Sequence, residues 1–129
     1  MLRECGRVLK PGGRLAGYII HTPEGVSAAE ARRAAELGPP YVTASPETLT
    51  RRAGFTVVGR EDVTPQFRDC CEALLRARTR LESALRADEG DEVFEEEHTR
   101  KTAMLTGIHE RLLLRSLVVA ATPAPSSPR

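Results

Sequence analysis

The sequence that decides the fold reads Leu-Arg-Glu-Cys-Gly-Arg-Val-Leu-Lys-Pro-Gly-Gly-Arg-Leu-Ala-Gly-Tyr-Ile-Ile, from Leu2 to Ile20. Apolar residues recur in its first half at the spacing of one helix face. Pro11 ends this predicted helix, because proline disfavours the helical conformation at the residue before it, and the two glycines that follow permit a tight reversal. The run from Leu15 to Ile20 is almost entirely apolar, which predicts a strand buried on both faces. A helix, a glycine turn and a buried strand in succession predict one helix–strand unit of an α/β sheet.

Local start signals predict the next three elements. Ser27 and Glu30 have the spacing of a capping box, which predicts a helix. Ser45 followed by proline predicts a second, short helix that ends at Gly54. The segment 55–63 is rich in β-branched residues and predicts a second strand.

Two long helices are predicted between the second strand and a third. Thr64-Pro65 opens the first, whose apolar seam comprises Phe67, Cys70, Leu74, Ala77, Leu81 and Ala84. The second runs from about Glu92 to Leu114, and its polar first half contains the pairs Glu96–Arg100 and Glu97–Lys101 at the favourable i, i+4 spacing. Ser116–Ala121 predicts the third strand, and the Pro- and Ser-rich segment 122–129 predicts a disordered tail.

Composition excludes several classes of protein. The chain has 129 residues, which suits one domain. Its 19 Lys and Arg against 18 Asp and Glu give a net charge of +1, so we expect neither nucleic-acid nor membrane binding. There is no transmembrane-length apolar run and no signal pattern, which predicts a cytoplasmic location. Three cysteines, two of them adjacent, argue against a disulfide framework.

His21 is a candidate site residue because of its position at the end of the first strand. In open α/β sheets, ligands lie outside the carboxyl ends of the parallel strands. An imidazole can also act as a general base near neutral pH. An ordinary polar loop residue is the alternative. Tyr41 and Thr43, between the two short helices, are candidates of the same kind.

No cofactor or metal site is predicted from the motifs. Gly12 and Gly13 follow a helix and open a strand, whereas a phosphate-binding loop follows a strand and opens a helix. We therefore interpret them as a turn. The residues Cys70, Cys71, His98 and His109 lack the spacing of a metal-binding motif, which favours packing roles.

Three segments together resemble class I S-adenosylmethionine-dependent methyltransferases. Arg-Val-Leu-Lys-Pro-Gly-Gly-Arg-Leu (7–15) resembles the segment that leads into their fifth strand, and Leu-Thr-Arg-Arg-Ala-Gly-Phe-Thr-Val-Val (49–58) resembles the entry to their sixth. Asp62-Val-Thr64 follows as it does in members that act on small molecules, and 116–121 fits the seventh strand. The resemblance implies an α/β fold: the C-terminal part of a Rossmann-like seven-stranded sheet (strands five, six and seven) over residues 1–121. A helical pair, 65–114, would be inserted between the last two strands as a substrate cover.

The resemblance also implies a cofactor, an activity and an incomplete sheet. S-adenosylmethionine would be held by strands one to four, and this sequence begins at the helix before strand five. No cofactor-binding residue is therefore carried over, and we expect the chain to be inactive alone. The seventh strand would lie between the fifth and sixth and antiparallel to both. The outer edge of strand 15–20 would then be open, with apolar surface exposed beside Leu15, Ala16, Tyr18 and Ile20, and would invite self-association or docking.

Three functions follow from these observations. The first is methyl transfer to a small-molecule acceptor, with this chain as the substrate-side part. The second is a non-catalytic interaction module that docks through the open edge and the helical pair. The third is a two-helix partner-binding protein with an α/β scaffold. The sequence leaves open the acceptor, its methylated atom, the oligomeric state and whether Met1 is the true start.

Overall fold

The computed structural model describes residues 1–38 and 44–123. In chain order its elements are α1 (Leu2–Val8), β1 (Arg14–His21), α2 (Ala28–Leu37), α3 (Pro46–Arg52), β2 (Thr56–Asp62), α4 (Thr64–Arg80), α5 (Glu82–Glu89), α6 (Asp91–His109) and β3 (Leu114–Ala121). Tyr41, Thr43 and segment 124–129 of the predicted tail lie outside the described residues. Within the described ranges, the helices are too short or too polar to cross a membrane.

The three strands form one sheet in the order β1-β3-β2, with β3 antiparallel to both neighbours. The pairing runs from Arg14 opposite Ala121 to His21 opposite Leu114 on one side of β3, and reaches Asp62 opposite Ser116 on the other. The predicted strand order is confirmed. Because β1 and β2 are parallel to each other, their carboxyl ends meet at the same edge of the sheet.

The glycine turn before β1 is fastened to the residues that follow β3. Gly12 adopts a φ of 76°, and the Gly13 N–H donates to the Lys10 carbonyl at 2.8 Å. The Thr122 N–H donates to the Gly13 carbonyl at 2.9 Å, and its hydroxyl donates to the Lys10 carbonyl at 2.8 Å. The interpretation of the glycines as a turn is therefore confirmed, and Thr122, the first residue of the predicted tail, is anchored.

Strand β1 is less buried than predicted. Ala16 and Tyr18 are exposed, Tyr18 to 63%, while Leu15 and Ile20 are half-buried. Burial on both faces was the wrong expectation for this chain, because β1 lies at the edge of the described sheet. The expected exposed apolar surface is confirmed at Ala16 and Tyr18.

The main core lies between the helices and one face of the sheet. Leu113, whose side chain is fully buried, lies at its centre. The other buried members come from α2, α4, α6 and the turn before β3: Ala34, Leu37, Phe67, Ile108 and Leu112. Arg111 has a φ of 60°, and the Leu112 and Leu113 N–H groups both donate to the Gly107 carbonyl. This reversal ends α6 at His109 and begins β3 at Leu114. The prediction that the helix continues to Leu114 is therefore wrong over its last residues.

The inward face of α4 differs from the predicted seam. Cys70 is exposed, and Leu74 and Leu81 are 46% and 51% exposed. Cys71 instead packs against the core, with its sulfur 4.0 Å from that of Met104. Leu81, at φ −101° and ψ 18°, interrupts the predicted single helix and divides it into α4 and α5. Packing against α6 therefore selects the buried side of α4.

Candidate functional site

Polar side chains gather where β1 and β2 end and β3 begins. His21 ends β1, Asp62 ends β2, and Arg115 and Ser116 open β3. We call these four residues, with Thr64 at the start of α4, the strand-end site. Their position at the carboxyl ends of two parallel strands is where α/β sheets bind ligands.

His21 is buried and uses both ring nitrogens. Its side chain is 3% exposed, Nδ1 lies 2.9 Å from the Thr22 carbonyl oxygen, and Nε2 lies 2.8 Å from the Ser116 hydroxyl. Since a carbonyl only accepts, Nδ1 carries the proton and Nε2 accepts from the serine. Burial lowers the pKa of His21, the Thr22 hydrogen bond opposes that shift, and the charge of Arg60 adds to it. His21 is therefore a neutral link between two strands, without a free nitrogen to act as a base.

The hydrogen bonds of His21 continue across the sheet to α3. Ser116 is 1% exposed and accepts from Arg60 Nε at 3.3 Å. Arg60 Nη1 lies 3.6 Å from Glu47 Oε1. A protonated His21 would lie beside the Arg60 cation and would turn the Ser116 hydroxyl away. The network thus favours the neutral imidazole.

Asp62 fastens the start of α4. Its Oδ1 accepts from the Thr64 N–H at 2.9 Å and from the Thr64 hydroxyl at 2.6 Å, and these bonds lower its pKa. The Thr64 hydroxyl oxygen accepts in turn from the Arg115 N–H at 3.0 Å. Thr64 is the first residue of α4, which has no side-chain N-cap. The helix therefore begins at Thr64, as predicted, and the Asp62 carboxylate accepts from its first N–H group.

Arg115 was not singled out from the sequence. Its guanidinium carbon lies 4.5 Å from the centre of the Tyr18 ring and 4.6 Å from that of Phe67. Its Nε is buried and has no hydrogen-bond partner within the described ranges. The signal that could have identified it is that Arg115 is the one charged residue of the strand Leu-Arg-Ser-Leu-Val-Val-Ala-Ala.

The cysteines and the other histidines have packing or surface contacts. Cys71 is half-buried, and burial raises its pKa. His98 stacks on Phe94, and His109 lies 3.5 Å from Glu72. The described part of the chain contains no group of three or more His, Cys, Asp or Glu side chains that could hold a metal.

An apolar groove follows the free edge of β1 on the face that bears His21. Its volume is about 580 Å³. Leu2 and Cys5 of α1 line one side of it and Leu49 of α3 another, while Ile19 and Val118 form its floor. We call it the edge groove.

No family model matches the chain, and no curated protein matches it. Solved structures do. Phosphoethanolamine N-methyltransferase 2 from Haemonchus contortus, in complex with phosphomonomethylethanolamine and S-adenosylhomocysteine, is 17% identical with a TM-score of 0.73, over 95% of this chain and 29% of that one. A Galdieria sulphuraria protein assigned as a sarcosine dimethylglycine methyltransferase is 14% identical with a TM-score of 0.79, over 95% and 46%. The cyclopropane synthase MmaA2 from Mycobacterium tuberculosis is 18% identical with a TM-score of 0.71, over 94% and 48%.

The described residues do not fit S-adenosylmethionine on their own. The Gly12 N–H donates to the Pro123 carbonyl at 3.3 Å, and the carbonyls of Lys10 and Gly13 are engaged by Thr122. The turn is therefore filled by the chain itself. His21 and Asp62, the polar residues that end β1 and β2, are likewise engaged by Ser116 and Thr64. The chain spans 29% to 48% of the length of the three structures above, and over that part it has the fold of the S-adenosylmethionine-dependent methyltransferases.

Proposed function

We propose that this chain is the C-terminal, substrate-side part of an S-adenosylmethionine-dependent methyltransferase that acts on a small molecule. The observation that carries the proposal is the fold shared with these enzymes over 94% to 95% of the chain. The Haemonchus contortus enzyme was solved with a small phosphorylated amine, which supports a small acceptor. The three cysteines of this chain form no disulfide with one another, which supports a cytoplasmic location.

In this proposal residues 1–121 form half of a methyltransferase domain, and 65–114 form the cover over the acceptor. Two contacts support the cover. Phe67 of α4 packs on Arg115, and Met104 of α6 packs on Cys71. The first contact holds α4 against β3 next to the strand-end site, and the second holds α6 against α4. Methyl transfer depends mainly on holding the acceptor in line with the donor, and a packed cover can supply that positioning.

His21 is proposed to act as a positioning residue of the strand-end site. Its side chain is too buried to touch an acceptor without rearrangement, but its hydrogen bonds fix the first residues of β3 against β1. Tyr41 and Thr43 stay predictions for acceptor contact, since they lie outside the described residues.

The free edge of β1 is proposed to receive the cofactor-binding part of the domain. A sheet edge with exposed Ala16 and Tyr18 beside an apolar groove would gain both backbone hydrogen bonds and apolar burial there. In the isolated chain that part is not provided. We therefore expect no cofactor binding by this chain alone.

Isothermal titration of the chain with S-adenosylhomocysteine tests this proposal. We expect no saturable heat in the micromolar range, whereas a whole methyltransferase of the same fold, titrated in parallel, should bind. Saturable micromolar binding by the isolated chain would contradict the division of roles proposed here.

A second function, a non-catalytic module that docks through β1, is favoured by the same exposed edge. Size-exclusion chromatography with light scattering distinguishes it. A stable dimer that becomes a monomer in Tyr18→Lys would favour docking, because a lysine on an edge strand blocks strand addition. Arg14→Lys, also on β1, is the control that should leave the mass unchanged. A monomer at every concentration would count against self-association.

A further inference from the structure

Arg115 is a half-buried cation without a counter-charge. Among the described residues no carboxylate lies within ion-pair distance of it, and its buried Nε has no hydrogen-bond partner. A buried donor that has lost water and gained no acceptor costs free energy, more so when it is charged. The fold therefore leaves the Nε of this guanidinium without an acceptor.

Two aromatic rings pack against that guanidinium. Tyr18 lies at 4.5 Å and Phe67 at 4.6 Å from the guanidinium carbon. A ring attracts the guanidinium charge but offers no lone pair comparable to that of a carboxylate, so the N–H groups, which lie in the guanidinium plane, can still donate to an anion. That planar fork is the geometry that binds carboxylate or phosphate oxygens through two hydrogen bonds.

Arg115 borders a cavity whose charged lining is positive. The cavity has a volume of about 290 Å³ and is lined by Phe67, Cys70, Cys71, Leu74, Arg100, Lys101, Met104 and Arg115. Arg100 and Lys101 share one carboxylate, Glu97, whose pKa their hydrogen bonds lower to about 2. The charged residues of the lining are therefore the three cations, two of which pair with Glu97.

The position of Arg115 in the sheet also points to a ligand. It pairs with Ile20, the residue before the carboxyl end of β1, and lies beside the carboxyl end of β2. Ligands of α/β sheets bind at that end. Residues of α4 and α6, which belong to the segment proposed above as the cover, form the rest of its lining.

We propose that Arg115 binds an anionic group, a carboxylate or a phosphate, of the small molecule on which the methyltransferase acts. The assignment of that molecule as the methyl acceptor rests on the proposed function. The binding of an anion at Arg115 does not, because it needs no cofactor.

The test measures the thermal unfolding midpoint of the whole chain against inorganic phosphate and against acetate, each at constant ionic strength set with sodium chloride. We expect a saturable rise with at least one of the two anions, because a ligand that binds only the folded state stabilises it. Whichever anion gives the larger rise identifies the source as phosphate or carboxylate. No rise beyond that in chloride alone would overturn the proposal.

Variants locate the effect. Arg115→Gln removes the charge and should weaken anion binding by about tenfold or more. Arg14→Gln removes an exposed arginine at the opposite end of the sheet and should leave binding unchanged. An equal response in wild type and Arg115→Gln would overturn the proposal.

A second variant covers the case in which Arg115→Gln does not fold. Arg115→Lys keeps the charge but lacks the planar fork, so it should stay folded and bind the anion more weakly than wild type. Undiminished affinity in this variant would contradict the bidentate geometry. These titrations contain no S-adenosyl compound. A chain that binds phosphate and also binds S-adenosylhomocysteine would therefore preserve the anion site and contradict only the proposed function.

Discussion

Replacing Gly107 by alanine should destabilise the protein, although alanine is the better helix former. Gly107 lies in α6, and a Cβ at this position would be 2.5 Å from Leu113 Cδ1 and 3.3 Å from Leu37 Cβ. Leu113 cannot easily move away, because its side chain is fully buried and the same Cδ1 lies 2.5 Å from the place of a Cβ at Gly38. Two glycines thus enclose one leucine.

The expected magnitude follows from two opposing effects. Alanine gains about 1 kcal/mol over glycine from helix propensity. Forcing a methyl group into a packed core costs about 1–3 kcal/mol, and confinement of Leu113 on two sides favours the upper part of that range. The free energy of unfolding should therefore fall by about 1–2 kcal/mol, measured by urea denaturation followed by circular dichroism.

A matched control separates packing from propensity. Gly6 is also helical, and a Cβ there would lie 3.5 Å from Phe55 Cζ, an ordinary contact. Gly6→Ala should stabilise the protein by about 0.5–1 kcal/mol. Combining Gly107→Ala with Leu113→Ala should cost less than the sum of the two single changes, because the leucine that the methyl group meets is gone. A Gly107→Ala protein as stable as wild type would refute the reasoning.

Three further predictions concern single polar groups. Burial lowers the pKa of His21, so the unfolded chain takes up a proton at a higher pH than the folded chain does. The free energy of unfolding should therefore be largest above a pH of about 6.5 and fall as the pH drops toward the folded-state pKa. Urea denaturation across that range should show a smaller fall for His21→Gln. Ser27→Ala removes the hydroxyl that accepts from the Glu30 N–H, one half of the observed capping box, and should lower the free energy of unfolding by about 1 kcal/mol. The neighbouring Ala28→Ser should change it little. Thr22→Val should leave the free energy of unfolding unchanged or raise it, since the buried Thr22 hydroxyl has no hydrogen-bond partner among the described residues. Thr50→Val should lower it by about 1 kcal/mol, because the Thr50 hydroxyl donates to the Pro46 carbonyl at 2.7 Å. Equal losses in the two variants would contradict this difference.

Structural features that depend on neighbours in the sequence were predicted correctly. The Ser27–Glu30 capping box has both of its hydrogen bonds, and the Ser45 hydroxyl accepts from the Thr48 N–H. Both predictions rest on groups three residues apart, whose distance is fixed once the helix forms. The strand order was also predicted, but through the family resemblance and not from the residues alone.

Structural features that depend on residues distant in the sequence could not be predicted from periodicity. Cys70 and Cys71 are both compatible with an apolar seam, and only the position of Met104, 33 residues later, decides that Cys71 faces inward. The exposure of Tyr18 likewise depends on whether another strand lies beside β1. Nothing in the sequence around Gly107 predicts that Leu113 folds back over it, although that contact ends α6 and fixes the start of β3.

The candidate site was predicted in place but not in its chemistry. His21 lies at the strand end as expected, yet Ser116, 95 residues away, occupies the nitrogen that a general base would need. Arg115 was overlooked because nothing near it in the sequence shows that its neighbours are aromatic rings and that the described residues offer it no carboxylate. Whether a polar group is satisfied is a property of the folded chain.

That distinction assigns different roles to the two faces of β3. Successive residues of a strand point to opposite sides, so Arg115 and Ser116 face different surroundings although they are neighbours. On the Ser116 side, the hydroxyl donates to His21 and accepts from Arg60, and the network is complete without a ligand. On the Arg115 side, the guanidinium packs against two rings, and its buried Nε has no hydrogen-bond partner among the described residues. Substitutions at Ser116 should therefore change stability, and substitutions at Arg115 should chiefly change what the protein binds, because a ligand can add free energy only where the fold leaves an interaction unmade.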